Sequence, residues 1–181
     1  NCGKQNLVYD DSFSFIAAHD DEEAAKKIMK LFDVEWKLQG KNVNAVQVLT
    51  PLREDTKVSA NALNLKIKDR INPYQRGQQE IKNGNKIFRI QDKVMQTKNE
   101  DEISNGDIGI VRKIGKMSGK KYMEVDFGEE RVMRYQEGES WNLVHAYAIT
   151  AHKGQGSEYP VVIIPILSCF RRHTLKRNLY Y

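Results

Sequence analysis

The pattern of apolar residues changes twice along this chain of 181 residues, and this change limits the possible folds more than any other feature. In the first and last blocks, short apolar runs such as Val43–Thr50 and Val161–Ile166 stand beside polar or helix-like segments. Such runs are typical of buried strands in an α/β sheet. The middle block has short alternating segments separated by turn residues, which predicts antiparallel strands. The sequence therefore predicts an α/β domain interrupted by a small antiparallel β-barrel.

Two helices are predicted in the first block. Asp20 and Glu23 have the spacing of a capping box. Apolar residues follow at helical spacing, namely Ala25, Ile28, Met29 and Phe32. A second helix is predicted over Ser59–Arg70, with apolar residues every four positions from Leu63. Pro73 ends it, because the residue before a proline disfavours the helical conformation.

The strands of the other two blocks follow from alternation and turn signals. Those of the middle block are predicted around Phe88 and over Lys93–Gln96, Ile108–Ile114, Tyr122–Phe127 and Arg131–Tyr135. Asn105-Gly106 and Ser118-Gly119 mark two of the turns between them. In the last block, Val144–Thr150 is predicted as one strand, and a loop or short helix over Gly154–Ser157 precedes the strand Val161–Ile166.

Composition narrows the classes of function. The formal net charge is +5, which favours a polyanionic partner such as nucleic acid. No apolar run approaches the roughly 20 residues that span a bilayer, and no signal-like stretch follows Asn1, so we expect a cytoplasmic protein without a membrane partner. The chain has two cysteines and four histidines, none at metal-ligand spacing. We therefore predict no metal site.

A polar loop between two predicted strands carries the most chemistry. Ligands bind at the sheet edge where such loops lie in α/β folds. Gly154 and Gly156 permit backbone N–H groups to approach a phosphate closely. The side chains available for phosphate, ribose or water are those of Thr150, His152, Lys153, Gln155, Ser157 and Glu158. The alternative is a solvated turn between two core strands.

Four signatures, one of them made of two segments, resemble those of RecD-type superfamily 1 DNA helicases. The segment from residue 145 to residue 160 resembles motif V, with Gly154 where the family usually has serine. The barrel inserted in that family is resembled by Asn105–Gly109 and by the preceding segment 88–96. Gln91 stands where the family usually has glycine. Thr50–Glu54 and the helix after it resemble motif IV. Lys176–Tyr181 is similar to the residues that lead into motif VI.

The resemblance implies a fold. It is α/β: a second RecA-like domain of the P-loop NTPase type, truncated at its C-terminus and interrupted by a Src-homology-3-like β-barrel. The boundaries predicted on this basis are 1–80 for the first part of the RecA-like domain, 81–142 for the barrel and 143–181 for the return segment.

The sequence contains no G-x-x-x-x-G-K-S/T loop and no acidic pair in the context of a Walker B strand. Phosphoryl transfer needs a phosphate cradle, a lysine and a metal site, which such helicases carry in their first RecA-like domain. We therefore expect ATP and Mg²⁺ as cofactors of a full-length helicase. This chain alone is expected to bind neither and to be inactive as an enzyme.

The resemblance also implies roles for individual residues. Arg53 matches the motif IV arginine that reaches the γ-phosphate and acts in catalysis. ATP-binding residues would be Gln155, Gly156 and Glu158, whereas DNA-binding residues would be Thr150, His152 and Lys153. The alternatives are a surface arginine at position 53, a loop network around Gln155 and a core histidine at position 152.

The predicted barrel carries basic residues that strands could present as one stripe along single-stranded DNA. Arg112 and Lys113 are the candidates for DNA contact, and the alternative is a solvated barrel exterior. Trp141 and Tyr147 are candidates for base stacking, although aromatic residues beside apolar strands are more often part of the core.

The predicted function is the C-terminal motor segment of an ATP-dependent DNA helicase, acting in DNA repair and recombination as in exodeoxyribonuclease V. Expected partners are single-stranded DNA, the N-terminal RecA-like domain of the same chain and other recombination subunits. Two alternatives are a relaxase-helicase of the conjugative type and a non-catalytic nucleic-acid-binding module. The Gln155–Glu158 loop argues against a pure binding module, which has no use for a nucleotide-facing loop.

Overall fold

A computed structural model of the chain describes residues 13–139, 141–167 and 170. In chain order its elements are α1 (Asp21–Leu38), β1 (Val46–Thr50), α2 (Ala60–Ile71), β2 (Glu80–Asn83), β3 (Lys86–Arg89), β4 (Lys93–Gln96), β5 (Ile108–Met117), β6 (Lys120–Asp126), β7 (Val132–Gln136), β8 (Leu143–His145), β9 (Ala148–Thr150), α3 (Ala151–Gly154) and β10 (Val161–Ile163). The chain is mixed α/β, as predicted.

Both predicted helices are confirmed. The Asp20 side chain accepts a hydrogen bond from the Glu23 backbone N–H at 2.7 Å. The Glu23 carboxylate in turn accepts from the backbone N–H of His19 at 2.8 Å, one residue ahead of the position in a regular capping box. Both helices bury apolar residues in one core with β1, among them Ala25, Ile28, Phe32, Leu63 and Ile67.

A parallel sheet of three strands, in the order β10-β1-β9, carries these helices. Val46 pairs with Val161 of β10, and Thr50 pairs with Thr150 of β9. The central strand β1 is almost fully buried, which explains its mostly apolar and β-branched sequence.

The middle block forms an antiparallel sheet of five strands, in the order β7-β6-β5-β4-β8, together with the hairpin β2-β3. The predicted strands of this block are present, and β2 and β8 add to them. Phe88 from the hairpin packs with the five-stranded sheet in one core, where its ring centroid lies 6.0 Å from that of Trp141. The hairpin and the sheet thus enclose a common core.

The prediction of one continuous strand over Val144–Thr150 is wrong. This segment contributes β8 to the antiparallel sheet and β9 to the parallel sheet. The Ala146 N–H donates to the Lys93 carbonyl of β4, but the carbonyl of the following residue, Tyr147, accepts from the Val48 N–H of β1. The backbone therefore changes its pairing partner within two residues, which an extended apolar run does not reveal.

Among the described residues, no helix is long and apolar enough to cross a bilayer. The same residues contain no group of three or more His, Cys, Asp or Glu side chains placed to hold a metal ion. Cys2, Cys169 and the Lys176–Tyr181 segment lie outside the described residues.

Candidate nucleotide and DNA interface

Two of the predicted functional loops begin side by side. In the parallel sheet, β1 ends at Thr50 and β9 ends at Thr150, and these two residues are paired in register. Thr50 is buried, and its hydroxyl donates to the Val58 carbonyl at 2.8 Å, which ties down the loop that follows β1. The carboxyl ends of parallel strands lie at one edge of a sheet. The loop that carries Arg53 and the segment that carries His152 therefore both begin at that edge.

Arg53 lies on the loop between β1 and α2. Its backbone carbonyl accepts from Asn61 N–H at 3.0 Å, so the loop is fixed against the start of α2. The guanidinium is exposed, with its Nε 3.6 Å from the Glu54 carboxylate. The pKa of Lys86 in the hairpin is lowered mainly by burial and, to a smaller extent, by the positive charge of Arg53. Arg53 therefore faces solvent near β3, with donors available for an anion.

The residues after β9 start with Thr150, which occupies the N-cap position of α3 and makes no capping hydrogen bond with its side chain. His152 is exposed, so its alternative interpretation as a core histidine is wrong. The Lys153 ammonium donates to the Asn105 side chain in the loop between β4 and β5. The segment thus offers a hydroxyl and an imidazole to solvent, and its lysine contacts the antiparallel part of the chain.

Gln155, Gly156 and Glu158 are exposed on the connection from β9 back to β10. Because Val161 pairs with Val46, this connection returns to the amino end of β1. Glu158 accordingly lines a shallow cavity with Asn44, the second residue before β1. The structure therefore brings Arg53 and Thr150 to one edge of the sheet, whereas Glu158 lies toward the opposite end of β1.

Lys93 is a residue that the sequence did not single out. It lies on β4 with 1% of its surface exposed, and its ammonium donates to Gln47 Oε1 at 2.9 Å and to the Val43 carbonyl at 3.1 Å. Burial lowers the pKa of this amine to about 7. A lysine at a strand position normally points to solvent, so no sequence signal indicated its burial.

The two candidates on β5 differ in their surroundings. Arg112 is engaged by Asp126 at 2.7 Å, which leaves it less free for a phosphate. The Lys113 ammonium is exposed and lies 5.8 Å from the centroid of the Tyr122 ring. Trp141 and Tyr147 are both buried, which confirms that they belong to the core.

Comparisons with known proteins find helicase domains in this chain. Residues 63–127 match the family model of the ATP-dependent RecD-like DNA helicase SH3 domain, and residues 145–181 match that of the UvrD-like helicase C-terminal domain. The ATP-dependent RecD2 DNA helicase of Deinococcus radiodurans is 37% identical over 139 residues. The chain belongs to the RecD-type superfamily 1 helicases.

That alignment covers 76% of this chain but only 18% of the RecD2 relative. Among solved structures, unliganded Pif1 from Bacteroides sp is similar at 17% identity and a TM-score of 0.40. The match covers 68% of this chain and 47% of the Pif1 chain. Bacteroides Pif1 bound to single-stranded DNA matches 81% and 43%, at 16% identity and a TM-score of 0.43.

The departures from the RecD-type motifs have local structural explanations. Gln91, at a usual glycine, has a φ of +73°, so it keeps the left-handed conformation that glycine would adopt without strain. Asp55 in the motif IV loop also has a positive φ, of 76°. At Gly154, a Cβ atom would come within 2.7 Å of the Leu49 side chain, so a serine here would require Leu49 to move.

The barrel glycine of the RecD-type N-G-D-I-G motif is explained by packing. A Cβ atom on Gly109 would lie 2.8 Å from the backbone carbonyl oxygen of Asp126 and 2.7 Å from Val125 Cγ1. Strands β5 and β6 therefore approach each other here at a distance that only glycine allows.

Proposed function

We propose that this chain is the C-terminal motor segment of an ATP-dependent DNA helicase that translocates on single-stranded DNA and unwinds duplex. In this proposal the parallel sheet with α1 and α2 is part of the second RecA-like domain, and the antiparallel block is its Src-homology-3-like insertion. The observation that carries the proposal is the register of Thr50 with Thr150, which opens the motif IV and motif V loops at one sheet edge.

Arg53 is the proposed contact to the nucleotide from this side of the cleft. Its exposed guanidinium, held on a loop fixed to α2, has the donors and the charge to stabilise the γ-phosphoryl group during transfer. Gln155 and Gly156, on the connection that leaves this edge, are proposed to contact ATP as well. Glu158, farther along the connection and toward the amino end of β1, is proposed to contact the ribose. The side chains of Gln155 and Glu158 are exposed and make no hydrogen bond to another described residue, so both fit a ligand-binding role. The Mg²⁺ ion would be held by the preceding RecA-like domain.

Single-stranded DNA is the proposed polymer. Thr150 and His152 offer a hydroxyl and an exposed imidazole to the phosphodiester backbone, and Lys153 and Lys113 add positive charge. Phosphate contacts of this kind bind without regard to sequence and weaken with salt. ATP-driven closure of the cleft between two RecA-like domains would move this grip along the strand.

The test uses the full-length helicase that contains this segment. Arg53→Ala is expected to lower DNA-stimulated ATP turnover by about 10³-fold, because the arginine stabilises charge that develops during transfer. The affinity for a single-stranded oligonucleotide should stay unchanged. Arg76→Ala, which removes another exposed arginine, serves as the control and should alter neither quantity. Loss of DNA affinity with full turnover in Arg53→Ala would contradict the assignment of Arg53 to the nucleotide.

A further inference from the structure

The first residues of the motif V segment cross from one sheet to the other through a buried polar cluster. We call it the Asp92 cluster; its members are Asn72, Arg89, Asp92, His145 and Tyr147. The Asp92 side chain is fully buried. Its Oδ1 accepts from the Asn72 side chain at 2.7 Å and from the Tyr147 hydroxyl at 3.0 Å. Its Oδ2 accepts from the backbone N–H of Arg89 at 2.8 Å and lies 3.3 Å from His145 Nε2.

These contacts join three separate segments of the chain at one carboxylate. Asn72 is the C-cap of α2, Arg89 ends β3, His145 ends β8, and Tyr147 lies between β8 and β9. The Tyr147 hydroxyl also accepts from the Lys93 N–H of β4 at 3.2 Å. A buried carboxylate is costly to desolvate, so a cluster built on one points to a requirement for defined geometry.

The backbone beyond Tyr147 is held as well. The Asn64 side chain of α2 donates to the Ala148 carbonyl at 2.7 Å and accepts from the Ala148 N–H at 2.8 Å. The strand β9 is an edge strand, and Asn64 thus takes the place of a neighbouring strand on its free side. Two residues later the chain reaches Thr150, where the proposed DNA contacts begin.

We propose that Asp92 and Asn64 are positioning residues, which fix the proposed DNA-binding segment 150–153 through Tyr147 and Ala148. This inference rests on the proposed function, because segment 150–153 contacts DNA only if that function is right. It makes the antiparallel block a support for motif V: a shift of β4 or β8 would move Tyr147 and, with it, the start of the DNA-binding segment.

The test compares two tyrosines in the 181-residue chain. Tyr147→Phe removes a buried hydroxyl that donates to Asp92, while Tyr135→Phe removes a buried hydroxyl that donates to Gln96 at 2.9 Å in the barrel core. Tyr147→Phe also loses the hydrogen bond that its hydroxyl accepts from the Lys93 N–H, whereas Tyr135→Phe loses one hydrogen bond. Each variant keeps its ring. Hydrogen exchange of amides 149–153 should become about fivefold to tenfold faster in Tyr147→Phe, and stay unchanged in Tyr135→Phe.

A titration with a labelled oligothymidine gives the second measurement. Tyr147→Phe should weaken binding by about threefold to tenfold, and Tyr135→Phe should leave it unchanged. Asn64→Ala, which removes both bonds to Ala148, should act like Tyr147→Phe.

Equal exchange of amides 149–153 in both tyrosine variants would overturn the positioning proposal. Faster exchange in Tyr147→Phe with unaltered oligothymidine binding would overturn the link from this cluster to the DNA grip. If the unmodified chain does not bind oligothymidine but the exchange rates differ as expected, the positioning of the segment stands and the proposed DNA-binding function fails.

Discussion

Replacement of the buried Lys93 by methionine should change how the stability of the chain depends on pH. Burial lowers the pKa of this amine from 10.5 to about 7. That fall corresponds to roughly 5 kcal/mol in favour of the neutral amine. The unfolded chain therefore binds more protons than the folded chain between about pH 7 and about pH 10.5, so the free energy of unfolding rises with pH across this window.

The size of the effect follows from the same two pKa values. Between about pH 7 and about pH 9, Lys93 should contribute a gain of about 2 kcal/mol to the free energy of unfolding. Lys93→Met lacks the titrating group, so its gain over this interval should be smaller by that amount. At about pH 7 the variant also leaves Gln47 Oε1 and the Val43 carbonyl without their donor, which costs about 1–3 kcal/mol for each group left unsatisfied.

Urea unfolding of both proteins at the two pH values gives the difference directly. Lys120→Met, which replaces an exposed lysine, is the matched control and should keep the pH dependence of the unmodified chain. If Lys93→Met shows the same gain between the two pH values as the unmodified chain, the amine does not titrate in the buried position that the structure gives it.

Three further predictions concern activity and packing. The 181-residue chain alone should hydrolyse no ATP above background, because its sequence has no phosphate-binding loop; DNA-stimulated turnover by pure chain would contradict this. Gln91→Gly should raise the free energy of unfolding by about 1 kcal/mol, since glycine adopts a φ of +73° without strain, and thermal unfolding that shows a loss would refute the explanation. Gly109→Ala should lower it by about 1–3 kcal/mol, because its Cβ would lie 2.8 Å from the Asp126 carbonyl oxygen; a neutral result in urea unfolding would mean that β5 and β6 can separate.

Local sequence patterns determined the helices, most strands and the family. Asp20 and Glu23 act within one helical turn, so the start of α1 follows from residue types and spacing alone. Gly109 and the motif around it are recognisable in the sequence because close approach of two strands admits only one residue type. Arg53 was predicted to contact the nucleotide and Thr150 the DNA, and the parallel register of β1 and β9 brings the starts of their loops to one edge.

Tertiary structure alone decided where the polar groups are buried and which strand pairs with which. Nothing local distinguishes Lys93, whose ammonium is buried against Gln47, from an exposed lysine on a strand. The division of the Val144–Thr150 run between two sheets depends on β4 and β1, which lie far away in sequence. The ion pair of Arg112 with Asp126 likewise depends on how β5 pairs with β6. Periodicity reports which faces of a segment are apolar, but the partner of a backbone or side-chain polar group is set by distant residues that meet only in the folded chain.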